Sequence, residues 1–221
     1  MIGSAARELT RCKPYAETFR CPGGALCLDF CNSGQGLRSA QPVEWIVGYA
    51  ELVDWLEAAD AIPRAQAARL LRSGATAPTA ATAAWKRAMI LRETLFRVFS
   101  AAATRTVASR ADLEFVETEF RACVASSQLD WSDERYVWRV NQEASTPRVV
   151  VHPVVRSAVD LLTSETLFRL RQCAGETCSW LFLDETKNRS RRWCEMASCG
   201  NVAKVRRHRE RSVEPRRAPK P

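Results

Sequence analysis

A chain of 221 residues, 46% of them apolar, has the material for one large domain or a domain plus a small module, which excludes wholesale disorder. No apolar run is long enough to span a bilayer, and the first residues lack the apolar core of a secretion signal. The expected location is therefore the cytoplasm, where closely paired cysteines bind metal more often than they form disulfides. The formal net charge of +8 sits at one end: residues 1–168 carry 19 Lys+Arg against 19 Asp+Glu, and residues 169–221 carry 14 against 6, the electrostatic footprint of a nucleic-acid-binding end on a neutral body.

Residues 1–20 show no periodicity and are expected to form a loosely ordered arm ahead of a domain over 21–165. Leu26, Leu28 and Phe30 then alternate with Cys27 and Asp29 between glycine-containing turns, the pattern of a short strand. Over 43–58, Ile46, Val47, Tyr49, Ala50, Val53 and Leu56 recur at helical spacing. Pro63 opens a shorter helix as a first-turn proline, and SGATAPTAA follows as a small-residue connector. The longest helical pattern covers about 80–104, with Trp85, Met89, Leu95, Phe96 and Phe99 on its apolar face. Ser109 with Asp112 resembles a capping box and starts a helix reaching about residue 126.

Beyond it the period changes to two. Tyr136, Trp138 and Val140 alternate with Val137 and Arg139, and Val149 to Val151 form a β-branched run, so two strands are expected, with the strand at Leu26 able to pair with them. A helix is expected over 154–162. Trp45, Trp55, Trp85, Trp131 and Trp138 read as core or pocket-wall residues, and His152 as a structural histidine at a strand end. Arg92, beside Glu93 on the long helix, is a candidate for an anionic ligand pocket, although an internal ion pair is the commoner use of such an arginine.

The stretch from Cys173 to Asn201 carries the most specific signal. Cys173 and Cys178 are separated by four residues, as are Cys194 and Cys199, with fifteen residues between the pairs. Two short-spaced pairs let two backbone turns each present two sulfurs, which suits the tetrahedral coordination of one structural zinc. Four thiolates close that sphere and leave no position for a water nucleophile, so catalysis by the metal is not expected. Residues 180–184 read as a strand, 187–190 as a turn, 191–193 as a return strand, and Asn201 as the N-cap of a basic helix. This layout of knuckle, hairpin and helix is treble-clef-like. Cys12, Cys21, Cys27 and Cys31 could in principle form a second metal site, but their irregular spacing reads more readily as packing or incidental thiols.

Those residues also carry a family resemblance. Phe182-Leu183-Asp184, Asn188, Ser190-Arg191-Arg192-Trp193-Cys194, Met196, Cys199-Gly200-Asn201 and Lys204 resemble the phrase FLDxSRNxSRRWCSMxxCGNRxK of the CGNR-type zinc finger. The body resembles the ABATE-type domain that precedes this finger, through Leu26-Cys27-Leu28-Asp29-Phe30 with Asn32, and through Leu91-Arg92-Glu93. The resemblance spans about residues 23–211 and implies a bacterial transcription regulator that binds DNA, without naming a ligand or an operator. One departure stands out: Val202 occupies the place of the family's arginine, and valine donates no hydrogen bond to phosphate or base.

The expected architecture is thus α+β: a mainly helical N-terminal domain with a small sheet, then a zinc finger over 166–211, then a disordered basic tail over 212–221. The expected function is DNA binding through the finger, with ligand sensing, homodimerisation or both in the N-terminal domain. Lys204, Arg206, Arg207, Arg209 and Arg211 of the basic helix, with Arg189, Arg191 and Arg192 of the hairpin, are the candidate contacts to double-stranded DNA. A protein- or RNA-interaction adaptor is the alternative. No nucleophile elbow, zinc-protease, phosphate-loop or dinucleotide fingerprint is present, so an enzyme is not expected.

Overall fold

The computed structural model describes residues 22–40, 42–132, 134–140 and 146–213. The arm expected over 1–20, with Cys12, lies outside the described residues, as do Cys21 and the tail beyond Val213. In chain order the elements are α1 (Leu26–Cys31), β1 (Gly34–Gln35), β2 (Val43–Glu44), α2 (Tyr49–Ala58), α3 (Arg64–Thr76), α4 (Pro78–Ala103) and α5 (Arg110–Ala125). They continue with β3 (Ser127–Ser132), β4 (Arg135–Val140), a 3-10 turn (Pro147–Val151), α6 (His152–Leu162), a second 3-10 turn (Glu165–Arg169), β5 (Leu170–Gln172), β6 (Leu181–Leu183), a π turn (Met196–Gly200) and α7 (Asn201–Val213). The strands form three antiparallel pairs: β1 with β2, β3 with β4, and β5 with β6. The fold is mainly helical with small sheets, as expected.

Several local expectations are corrected. Residues Leu26–Cys31 form a helix rather than a strand, and Cys27 to Cys31 are all buried. α1 packs against α4, α6 and β6, and a helix covered on every side has no polar face to reveal its period. The helix expected from residue 43 begins at Tyr49, because Val43 and Glu44 pair with Gln35 and Gly34. Pro63 is the N-cap of α3 rather than its first residue. α3 absorbs most of the expected connector, so only Ala77 separates it from α4. Gly74 is required inside α3 because a Cβ there would lie 2.7 Å from the ring of Tyr49.

α4, 26 residues long, is the central helix, and α1, α2, α3 and α5 all pack on it. Its buried stripe of Ala84, Ala88, Leu91, Leu95 and Val98 recurs every three or four residues. At the start of α5, Ser109 accepts a hydrogen bond from the backbone N–H of Asp112 as expected, and its hydroxyl donates to the Asp112 carboxylate. The partner of β4 is β3, with Trp131 opposite Tyr136 and Leu129 opposite Trp138. The Val149–Val151 run is a buried 3-10 turn that leads straight into α6, so it is no strand, and His152 opens a helix rather than closing a strand. Trp131 and Tyr136 are 64% and 69% exposed, so Trp131 is not a core residue, whereas Trp55 is fully packed.

The core gathers Phe30, Trp55, Leu91, Leu95, Phe99 and Val154 with Leu170, Leu181 and Leu183. Those last three residues belong to β5 and β6. The hairpin that carries the cysteine module therefore completes the core of the N-terminal domain. A smaller cluster lies beyond it, where Phe182, Cys173 and Cys194 are packed by Trp180 and Trp193.

Candidate metal centre and basic helix

The cysteine module is built outward from the β5–β6 hairpin. Cys173 follows β5 directly and its N–H donates to Trp180 O, while Cys178 N–H donates to Gly175 O and closes a tight turn between the two cysteines. Ala174 N–H reaches Arg192 O, which draws the second pair alongside the first. Cys199 lies in the π turn, which Gly200 N–H closes on Glu195 O. The four sulfurs all lie within 4.8 Å of one another.

The cluster fits a tetrahedral zinc. Ligands at about 2.3 Å from such an ion stand about 3.8 Å apart, and the Cys178–Cys194 and Cys194–Cys199 sulfur pairs are each 3.7 Å apart. Backbone N–H groups of Gly175 and Cys194 point at the Cys173 sulfur from 3.4 and 3.3 Å, the outer-shell donors a thiolate uses. Gly175 is needed because a Cβ there would crowd Cys178 and the sulfurs of Cys199 and Cys173, at 3.1, 3.4 and 3.6 Å. As free thiols the group is unbalanced: hydrogen bonds from Cys178 and Cys194 pull Cys173 down, and those two, as donors, are pushed up. A dication relieves this by taking all four as thiolates. The four cysteines form a structural zinc site.

The return strand expected over 191–193 is absent, and β6 pairs with β5 instead. The loop after β6 is organised by the fully buried Asp184, whose carboxylate accepts from Thr186 N–H, Thr186 Oγ1–H and Arg191 N–H at 3.0, 2.5 and 2.9 Å. Burial alone would raise its carboxyl pKa, but those donors outweigh burial and hold it below the ordinary value. Asn201 is not an N-cap: it has helical dihedrals, continues from the π turn, and donates to Ala197 O.

The body grips this module through α1. The buried Asn32 side chain donates to Leu181 O at 2.8 Å and accepts from Leu181 N–H at 2.9 Å, acting as one more strand beside β6. Leu183 N–H donates to Gly23 O, Asp29 holds Gly23 N–H, and Trp180 Nε1–H reaches Gly34 O.

Residues 24–165 match the ABATE family, described as "Putative stress-induced transcription regulator". The chain belongs to the ABATE family. Residues 169–212 match the CGNR zinc finger, so the ABATE body is followed by the finger whose four cysteines were just placed. No curated protein matches the chain. The ABATE motif residues Asp29 and Asn32 thus have a role their spacing did not disclose: they hold the finger.

The candidate DNA contacts of this ABATE protein divide into distinct environments. Arg191 is half-buried and turns back on the finger, donating to the carbonyls of Trp193 and Cys194 and lying 4.4 Å over Phe182. Arg206 pairs with Glu176. Arg189, with φ of 50°, and Arg192 are exposed beside Phe168 and Trp193. Lys204 and Arg209 are exposed on α7, while the side chains of Arg207 and Arg211 on that helix lie outside the described residues.

Of the two uses weighed for Arg92, the structure shows the internal ion pair rather than a ligand pocket. Its guanidinium is buried against Glu44 at 2.8 and 2.5 Å, Glu93 at 3.3 Å and Ser33 at 3.2 Å. Burial would lower its pKa, but these carboxylates reverse the direction. Arg38 joins the network through Glu93, so the Leu91-Arg92-Glu93 motif pins the segment after α1 to α4. Cys27 and Cys31 are packing thiols; burial pushes Cys27 up to about 12 and Cys31 well above its ordinary value.

Proposed function

We propose that this ABATE protein is a DNA-binding transcription regulator, in which the zinc finger presents α7 to duplex DNA and the ABATE body senses a small effector, dimerises, or both. The observation that carries the reading is the position of α7. It starts in the turn that holds Cys199 and displays Lys204 and Arg209 to solvent, in the end of the chain that holds the whole +8 excess. A helix anchored by a metal site is held at a fixed angle, as insertion into a groove or alignment along phosphates requires. The zinc supports the fold of this end; the closed thiolate sphere leaves it no catalytic part.

The test is the salt dependence of duplex binding. Each phosphate neutralised contributes about −0.9 to the slope of log affinity against log salt, so the Lys204→Ala/Arg209→Ala variant flattens the slope by roughly 2 with zinc content unchanged. An unchanged slope would remove α7 from the DNA-binding reading. One observation favours the second reading, a protein- or RNA-interaction adaptor: Met196, Val202 and Val205 expose apolar surface beside the same basic residues. Tighter binding to single-stranded RNA than to duplex DNA under equal salt would favour it.

A further inference from the structure

A cleft of about 390 Å³ opens where β4 leans over α3, α5 and the start of α6. That is within the size range of sites that hold small organic ligands, roughly 300–1,000 Å³. Ile62, Leu70, Val137, Trp138 and Val149 give it an apolar wall. Arg69, Arg139 and Arg156 also line it, and none of the lining residues among those described is acidic. Arg139 has Asp130 at 3.7 Å and Arg156 has Asp160 at 3.0 Å, both outside the lining. Arg69 has no ion pair among the described residues. Arg156 also lies over the Trp138 ring, 5.7 Å from its centroid, so a cation and a flat aromatic surface face the same space.

Within this cleft His152 is buried. The Ser126 hydroxyl donates to Ala122 O at 2.7 Å and lies 3.4 Å from His152 Nδ1. The lining therefore combines apolar and aromatic surface, guanidinium donors and one buried imidazole.

We infer that this cleft binds a small organic anion with a flat apolar body, of the aromatic carboxylate class, the body against Trp138, Leu70 and Val149 and the carboxylate against the guanidiniums of Arg69 and Arg156. Guanidinium suits this partner because its planar fork can donate two parallel hydrogen bonds to one carboxylate. A purely apolar ligand would leave the three arginines unused, and an inorganic anion would leave the apolar wall bare. The inference rests on the sensing half of the function proposed above, and it gives that half a site and a ligand class.

The experiment is calorimetric titration of the full, zinc-loaded chain with 2-naphthoate and benzoate, with neutral 2-naphthamide and inorganic phosphate as comparisons. The expected result is one site per chain for a carboxylate, binding of the amide about tenfold weaker or worse, and no heat from phosphate. Arg69→Ala/Arg156→Ala lowers carboxylate affinity by about tenfold or more while zinc content and melting profile are retained. Trp138→Ala weakens acid and amide together. Equal binding of acid and amide, an unaffected double arginine variant, or no carboxylate heat at millimolar concentration would overturn the inference. Duplex affinity is measured in parallel. Arginine-dependent binding that leaves duplex affinity unchanged upholds the cleft and removes the sensing role. Absent carboxylate binding with an intact salt slope removes the cleft and leaves the DNA-binding reading standing.

Discussion

Asn32 shows how much one side chain holds. Its amide supplies both a donor and an acceptor to Leu181, and in Asn32→Ala both backbone groups are left buried without a partner. Each such group costs about 1–3 kcal/mol, so the variant should melt several degrees below the parent by circular dichroism, and an unchanged melting temperature would show that the grip is dispensable. His152 makes a different residue-scale prediction. Burial, with Arg148 nearby, lowers its pKa from 6.5 to about 4. The unfolded chain then takes up a proton at a higher pH than the folded one, so stability is complete above about pH 6.5 and declines as pH falls toward 4. The loss reaches up to about 3 kcal/mol at the acid end. Urea midpoints for the parent and His152→Gln should diverge between about pH 7 and pH 5, with the variant the less pH-sensitive; the cysteine contribution is common to both.

At the scale of single elements, α5 and α7 make the most direct claims. The Ser109 cap satisfies one N–H at the start of α5, and Ser109→Ala should cost about 1 kcal/mol, measurable as a lower urea midpoint with an unchanged slope. On α7 the residue in place of the family's arginine, Val202, is 69% exposed, so the exchange has altered surface rather than packing. Under the proposed function Val202→Arg adds a donor where DNA would lie. It should tighten duplex binding and steepen the salt slope by about 0.9. No change in either quantity would place Val202 away from the nucleic acid.

At the scale of the whole molecule, the body and the finger share a core. Leu170, Leu181 and Leu183 of the hairpin pack with Phe30 and Val154 of the body, so the separate cores that two sequence modules suggest are not what folds. Removing zinc should therefore destabilise more than the finger. Metal analysis of reduced protein is expected to give one zinc per chain, and Cys194→Ser or chelation should lower the melting temperature of the bulk helical signal in one transition. Two separated transitions, with the helical body unmoved, would show independent folding.

The zinc ligands were legible in the sequence because coordination chemistry fixes residue type and spacing together: Cys173, Cys178, Cys194 and Cys199 announce themselves without knowledge of the fold. The charge split, the long helix and the Ser109 cap were legible for a similar reason, since each depends on neighbours within a few residues. The tertiary structure alone decided that Leu26–Cys31 is a helix and Val149–Val151 a 3-10 turn, because segments buried on all sides carry no period. It alone turned Arg92 inward and Arg191 back on the finger, and it alone set Asn32 against Leu181, 149 positions away. Such pairings depend on which surfaces meet in space, and local sequence spacing does not record that.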